Sequence, residues 1–133
     1  MKQRDVLTIM SLLSILLLTF HLTDDIARGF ERGGLSNLTA VPLFVIWLYG
    51  TLVLSGRRSG YIIILLFSLL GIAVPIIHMK GRGVGIGSSI HYSHGGFFFV
   101  WTLIALGVTS LFCVILSIQE LWRLPWRRPG RVL

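Results

Sequence analysis

Four histidines and two aspartates hold most of the chemistry available to this sequence: His21, Asp24, Asp25, His78, His91 and His94. Neutral imidazole is the commonest metal ligand, and carboxylates complete zinc, iron or manganese sites. His21, Asp24 and Asp25 are spaced i, i+3, i+4, so a helix running through them would carry all three along one side, with Arg28 a turn further on. His91 and His94, spaced i, i+3, suit two ligands from one helical turn. Pro75 lies three residues before His78, where it removes a helical N–H and crowds the carbonyl of Gly71. A kink there would tilt His78 inward. A catalytic zinc site takes three protein ligands and leaves a position for water. The six residues therefore suffice for one ion with a carboxylate behind it, or for a tight dinuclear site. The ion would be a divalent transition metal: zinc, copper or iron.

Other chemistries fare worse. The single cysteine, Cys113, excludes an intrachain disulfide and a thiolate-held iron–sulfur cluster. Ser88, Ser89 and Ser93 stand near His91 but within a glycine-rich stretch, where serine is ordinary. Gly81, Gly83, Gly85 and Gly87 alternate without the Lys-Ser/Thr pair and following helix of a phosphate loop. The plain alternative to a site is a solvated rim, since histidine and aspartate at helix ends need no function to be tolerated there. A polar site that handles protons or binds a substrate lies between these two readings.

The elements that would position these residues follow from hydropathy. The chain of 133 residues is 54% hydrophobic and 13% charged, with a mean hydropathy of +0.84. Soluble domains carry about 25% charged residues. Four runs without charge stand out: Val6 to Phe20, Leu38 to Ser55, Tyr61 to Ile77 and Phe97 to Ile118. A hydrocarbon core of about 30 Å takes roughly 20 helical residues to cross, and lipid cannot satisfy the backbone of open strands. The expected fold is all-α, a polytopic membrane protein with a four-helix transmembrane bundle in a single domain, its helices at approximately 5–28, 38–55, 60–78 and 91–122. The first run resembles a signal peptide but lacks the small residues of a cleavage site, so it reads as a retained helix.

Orientation follows from Lys and Arg in the flanks. Lys2, Arg4, Arg57, Arg58, Arg123, Arg127, Arg128 and Arg131 fall on one side; Arg28, Arg32, Lys80 and Arg82 fall on the other, with Asp24, Asp25 and Glu31. Both termini are expected in the cytoplasm, with Trp122 and Trp126 in the headgroup belt and every histidine at the periplasmic face of a bacterial inner membrane. The net charge of +7 reflects these short clusters, which suit topology and lipid headgroups rather than nucleic acid. No Asp, Glu, Lys or Arg falls at a bilayer midplane, which weakens an ion-coupled transporter. The leading expectation is a metal site at the outer rim, acting, if catalytic, on a lipid-soluble or periplasmic substrate. The alternative is a non-catalytic accessory subunit docked on a larger membrane partner, or a homo-oligomer. A carboxyl-terminal fusion to a fluorescent protein that matures only in the cytoplasm is expected to fluoresce, and one to periplasmic alkaline phosphatase to stay inactive; the reverse pattern overturns the orientation.

Overall fold

A computed structural model describes residues 2–80 and 95–124. It contains α1 (Gln3–Ala27), a 3-10 turn (Leu35–Thr39), α2 (Ala40–Leu52), α3 (Arg58–Lys80) and α4 (Gly96–Arg123), with no strand among the described residues. Four helices are long and apolar enough to cross a membrane when the 3-10 turn is counted with α2. At about 1.5 Å per residue an α-helix of 18 residues reaches about 27 Å, just short of a hydrocarbon core of about 30 Å. The 18 residues of Leu35–Leu52, part of them in the more extended 3-10 geometry, therefore form a minimal span. The second helix ends at Leu52, short of the Ser55 that hydropathy suggests. Gly56 takes a left-handed φ of 81° and reverses the chain into α3.

The ends of α1 are set locally. The Asp5 carboxylate accepts a hydrogen bond from the Lys2 N–H at 3.1 Å, satisfying one of the orphan donors of the first turn. At the other end Gly29 adopts φ 76°, the Phe30 N–H donates to the Asp25 carbonyl at 2.9 Å, and the Gly29 N–H donates to that of Ile26 at 3.1 Å. This is a Schellman stop, which favours glycine because a Cβ opposes the left-handed conformation. The helix thus passes through His21, Asp24 and Asp25 before it ends.

The bundle is organised by alternating steps of three and four residues. Along α1 the inward positions are Leu7, Ser11, Ser14, Leu18, His21 and Asp25; along α3 they are Tyr61, Ile64, Ser68, Gly71, Pro75 and His78; along α4 they are Gly96, Phe99, Leu103, Leu106, Ser110, Cys113 and Ser117. Such a spacing keeps one seam facing its neighbours over many turns. α4 packs along both α1 and α3, whereas α2 lies to the side, mainly against α3. Small residues allow this closeness. A Cβ on Gly71 would stand 2.4 Å from Ser110 Oγ, and one on Gly107 3.3 Å from Pro75 Cγ.

Polarity is arranged opposite to that of a soluble bundle. Leu66, Leu69, Leu70, Ile104, Val108, Leu111 and Phe112 face outward, while Ser11, Ser14, Thr51, Ser68, Thr102, Ser110 and Ser117 are buried. Small and hydroxyl residues at helix contacts, with aliphatic residues outside, suit a lipid solvent. Several hydroxyls bond back to their own helix: Ser14 to the Met10 carbonyl, Thr102 to that of Phe99 and Thr109 to that of Ala105. Ser11 bonds across helices instead. It accepts from Trp47 Nε1 at 2.9 Å and pairs with Thr51 Oγ1 at 2.7 Å, tying α1 to α2. At the arginine end, Gln3 donates to Gln119 at 2.6 Å and accepts from Arg123, and Glu120 pairs with Arg123 at 3.5 Å.

The tightest backbone approach joins α2 and α3. A Cβ on Gly60 would lie 2.3 Å from the Leu54 carbonyl oxygen and 2.9 Å from that of Gly50. Gly60→Ala is therefore expected to cost about 1–3 kcal/mol through overpacking, read by thermal unfolding in detergent. Gly34→Ala, whose Cβ would meet only Ser36 Oγ at 4.0 Å, should stay within about 0.5 kcal/mol.

Candidate metal centre

The seams of α1 and α3 run out, at the same end of the bundle, on polar residues. His21 and Asp25 occupy the last two inward positions of α1, and His78 the last of α3. Asp25 Oδ2 lies 3.5 Å from His21 Nε2 and 3.6 Å from His78 Nε2. One ligand atom from each residue falls within 4.8 Å of the others. The imidazoles meet edge to face, with ring centroids 4.7 Å apart.

These polar groups are withdrawn from solvent and poorly paired. His21 is 2% exposed and Asp25 6% exposed. Neither ring nitrogen of His21 has a hydrogen-bond partner, and neither does Asp25 Oδ1. Buried polar atoms without partners are uncommon because each loses its hydration uncompensated. His78 differs in an informative way. Its Nδ1 lies 2.9 Å from the Val74 carbonyl oxygen. A carbonyl can only accept, so Nδ1 carries a proton, and Nε2, unless it too is protonated, presents a lone pair toward Asp25. A lone pair facing a carboxylate is repulsive unless a proton or cation lies between them. A backbone carbonyl holding the remote N–H is also the usual support of a metal-ligating histidine.

Helix ends add to the field. Asp25 lies in the last turn of α1 and His78 in the last turn of α3. Carbonyl-rich C-termini carry partial negative charge, which favours a cation nearby. α4 starts at the same level and contributes the opposite sign, but Arg28, beside that start, is held by Asp24 through a 2.7 Å contact between Nε and Oδ2.

Phe99 closes the side toward α4. It is 1% exposed, with ring centroids 5.1 Å from His21, 5.9 Å from His78 and 6.4 Å from Phe30, and Arg28 stacks 5.6 Å above it. Toward α2 the three residues open instead onto a cavity of about 280 Å³, walled by residues such as Leu43, Phe44, Trp47 and Phe67.

Of the six residues selected by sequence, the structure brings together His21, Asp25 and His78. Asp24 turns aside to Arg28, because a step of three from His21 leaves the seam that the step of four continues. His91 and His94 lie outside the described residues. Comparison of the chain with protein-family models, with curated proteins and with solved structures found no match. The site's chemistry therefore has to be judged on its geometry. A tetrahedral ion with ligands at about 2.0–2.1 Å separates them by roughly 3.3–3.4 Å; the separations of 3.5 and 3.6 Å from Asp25 lie close to that, and the two imidazoles, within 4.8 Å of each other, would draw together on an ion.

Phe99 and Glu31 escaped the sequence reading. Glu31 lines the cavity beside Asp25. The three consecutive phenylalanines gave no reason to separate Phe99 from its neighbours, although the spacing from Phe99 through Leu103, Leu106, Ser110 and Cys113 marks it as inward. Phe97, by contrast, is 82% exposed. Phe99→Ala is expected to destabilise the protein by about 3–5 kcal/mol and Phe97→Ala by no more than about 0.5 kcal/mol, measured by unfolding in detergent. Equal effects would contradict the inward placement of Phe99.

Proposed function

We propose that this chain is an integral membrane protein that binds one divalent transition metal ion through His21, Asp25 and His78. The observation that carries the reading is the aimed geometry of His78: Nδ1–H fixed on the Val74 carbonyl, Nε2 turned to within 3.6 Å of Asp25 Oδ2. The partnerless nitrogens of His21 point the same way, since an ion would occupy a ligand atom that otherwise has no partner. Two imidazoles and one carboxylate are a donor set used by catalytic zinc and by non-haem ferrous iron, both of which leave coordination positions open. Copper(I), which favours sulfur donors, is served less well.

With three protein ligands the ion keeps room for water or a substrate oxygen, so the reading extends to metal-assisted chemistry: activation of water by zinc, or of oxygen by iron. Phe99 and Phe30 would shield the ion on one side. The flank patterns of Lys and Arg support placing this end of the bundle on the periplasmic side of a bacterial inner membrane.

Protein purified in mild detergent without chelator is expected to contain about one zinc or iron per chain by elemental analysis, as binding through three strong ligands implies. Asp25→Ala and His78→Ala should each remove it, while Asp24→Ala should retain it. A folded wild-type protein that stays metal-free after dialysis against zinc and against ferrous iron under anaerobic conditions overturns the reading. So does a metal content indifferent to the loss of Asp25 and His78.

A further inference from the structure

The cavity beside the cluster has a composition that the three ligands alone do not explain. Its walls come from α1, α2 and α3 and are almost wholly apolar: Leu18, Leu43, Phe44, Trp47, Phe67 and Val74. Its polar lining is confined to one end, where His21, Asp25, Glu31 and His78 stand. Leu43 and Leu70 are 51% and 59% exposed on the outward faces of their helices, whereas Trp47, opposite, is 1% exposed. Leu43 on α2 and Leu70 on α3 thus carry the cavity wall out to the surface of outward leucines, while the histidines stand at its polar end. Trp47 is held in place by its bond to Ser11 and by stacking on Phe67 at 5.4 Å, so the wall is preformed.

We propose that this cavity takes one uncharged, single-chain amphiphile with an oxygen head group, such as a long-chain alcohol, entering from the lipid. Its oxygen sits at the His21–Asp25–His78 site and its chain lies along Leu43, Phe44, Trp47 and Phe67. The inference rests on the metal reading, because the open coordination position of the ion is what receives the oxygen. Three observations select the occupant. The apolar wall demands a hydrocarbon chain. The volume of about 280 Å³ falls at the lower edge of small-molecule sites, about 300–1,000 Å³, which suits the head and first carbons of one chain rather than a two-chain glycerolipid. Asp25 and Glu31 both line the polar end and together balance the charge of one divalent ion, so a carboxylate or phosphate head would leave net negative charge, and an ammonium head net positive charge, in an apolar enclosure. A neutral oxygen donor satisfies all three.

The test uses the full-length, zinc-loaded protein in phosphatidylcholine vesicles with a dodecanol carrying a photoreactive diazirine on its chain. Peptide mapping is expected to find the label on Leu43, Phe44 and Phe67, reduced about tenfold by excess dodecanol but not by dodecane or dodecanoate. Leu43→Trp and Leu70→Trp, two separate changes that fill the mouth, should each lose the label while keeping the metal. Label spread over the outward helix faces and indifferent to dodecanol overturns the proposal while leaving the metal site intact. So does displacement by dodecanoate equal to that by dodecanol, or retention of the label in both filled variants. A wild-type protein without metal in the parallel elemental analysis overturns the metal reading first, and this inference with it.

Discussion

Close contact of α4 with α1 and α3 along one continuous seam is the constraint on which the remaining features depend. The contact is possible because the seam is built of small or hydroxyl-bearing residues at several levels. Gly71 meets Ser110, Gly107 meets Pro75, and Ser14 Oγ lies 2.9 Å from Thr109 Oγ1. In a bilayer little would be gained by burying more hydrocarbon, so packing and hydrogen bonding would decide which faces meet. The same three-four spacing that brings Gly71 to Ser110 brings His78, two positions further along the seam, level with His21, Asp25 and Phe99. The cluster is where the seam runs out. It has the register of the contacts behind it.

That origin explains an otherwise costly arrangement. Two imidazoles and a carboxylate are enclosed with several polar atoms left without hydrogen bonds. A solvated rim would place such groups outward, where water and headgroups could reach them. Here Phe99 and Phe30 close one side, and Asp24 and Arg28, which do behave as an ordinary helix-surface pair, stand beside the cluster rather than in it. The contrast between Asp24 and Asp25 is one residue wide. It separates a charge that is compensated by its own helix from one whose partners lie at the junction of two helices.

Much of the fold was legible in the residues. The runs beginning at Val6, Leu38, Tyr61 and Phe97 each became a helix, as expected of segments apolar enough for a bilayer, where a backbone without water would have few other options. The local signals were weaker at the ends. Gly29 stops α1 well past its apolar run, and α2 ceases at Leu52 before its own is exhausted, with the reversal into α3 made at Gly56, since turn geometry rather than hydropathy decides where a helix ceases. Within the site, histidine and aspartate were recognisable as ligand types, and the i, i+4 relation of His21 to Asp25 was visible. Phe99, Glu31 and the cavity were not, because their roles come from what lies across from them on other helices.

The sequence by itself determined that the chain is helical, that four segments are apolar enough for a bilayer, and that its histidines and the Asp24–Asp25 pair fall near the ends of the first, third and fourth apolar runs. These are consequences of composition and of distances along one helix, which residue spacing encodes directly. Only the tertiary structure decided that His21, Asp25 and His78 share one point, that Asp24 does not, and that an apolar cavity leads to them. The rotation of one helix about its axis relative to another is set by packing along their whole length. A turn of about 100° per residue is enough to move a side chain from the seam to the outer face.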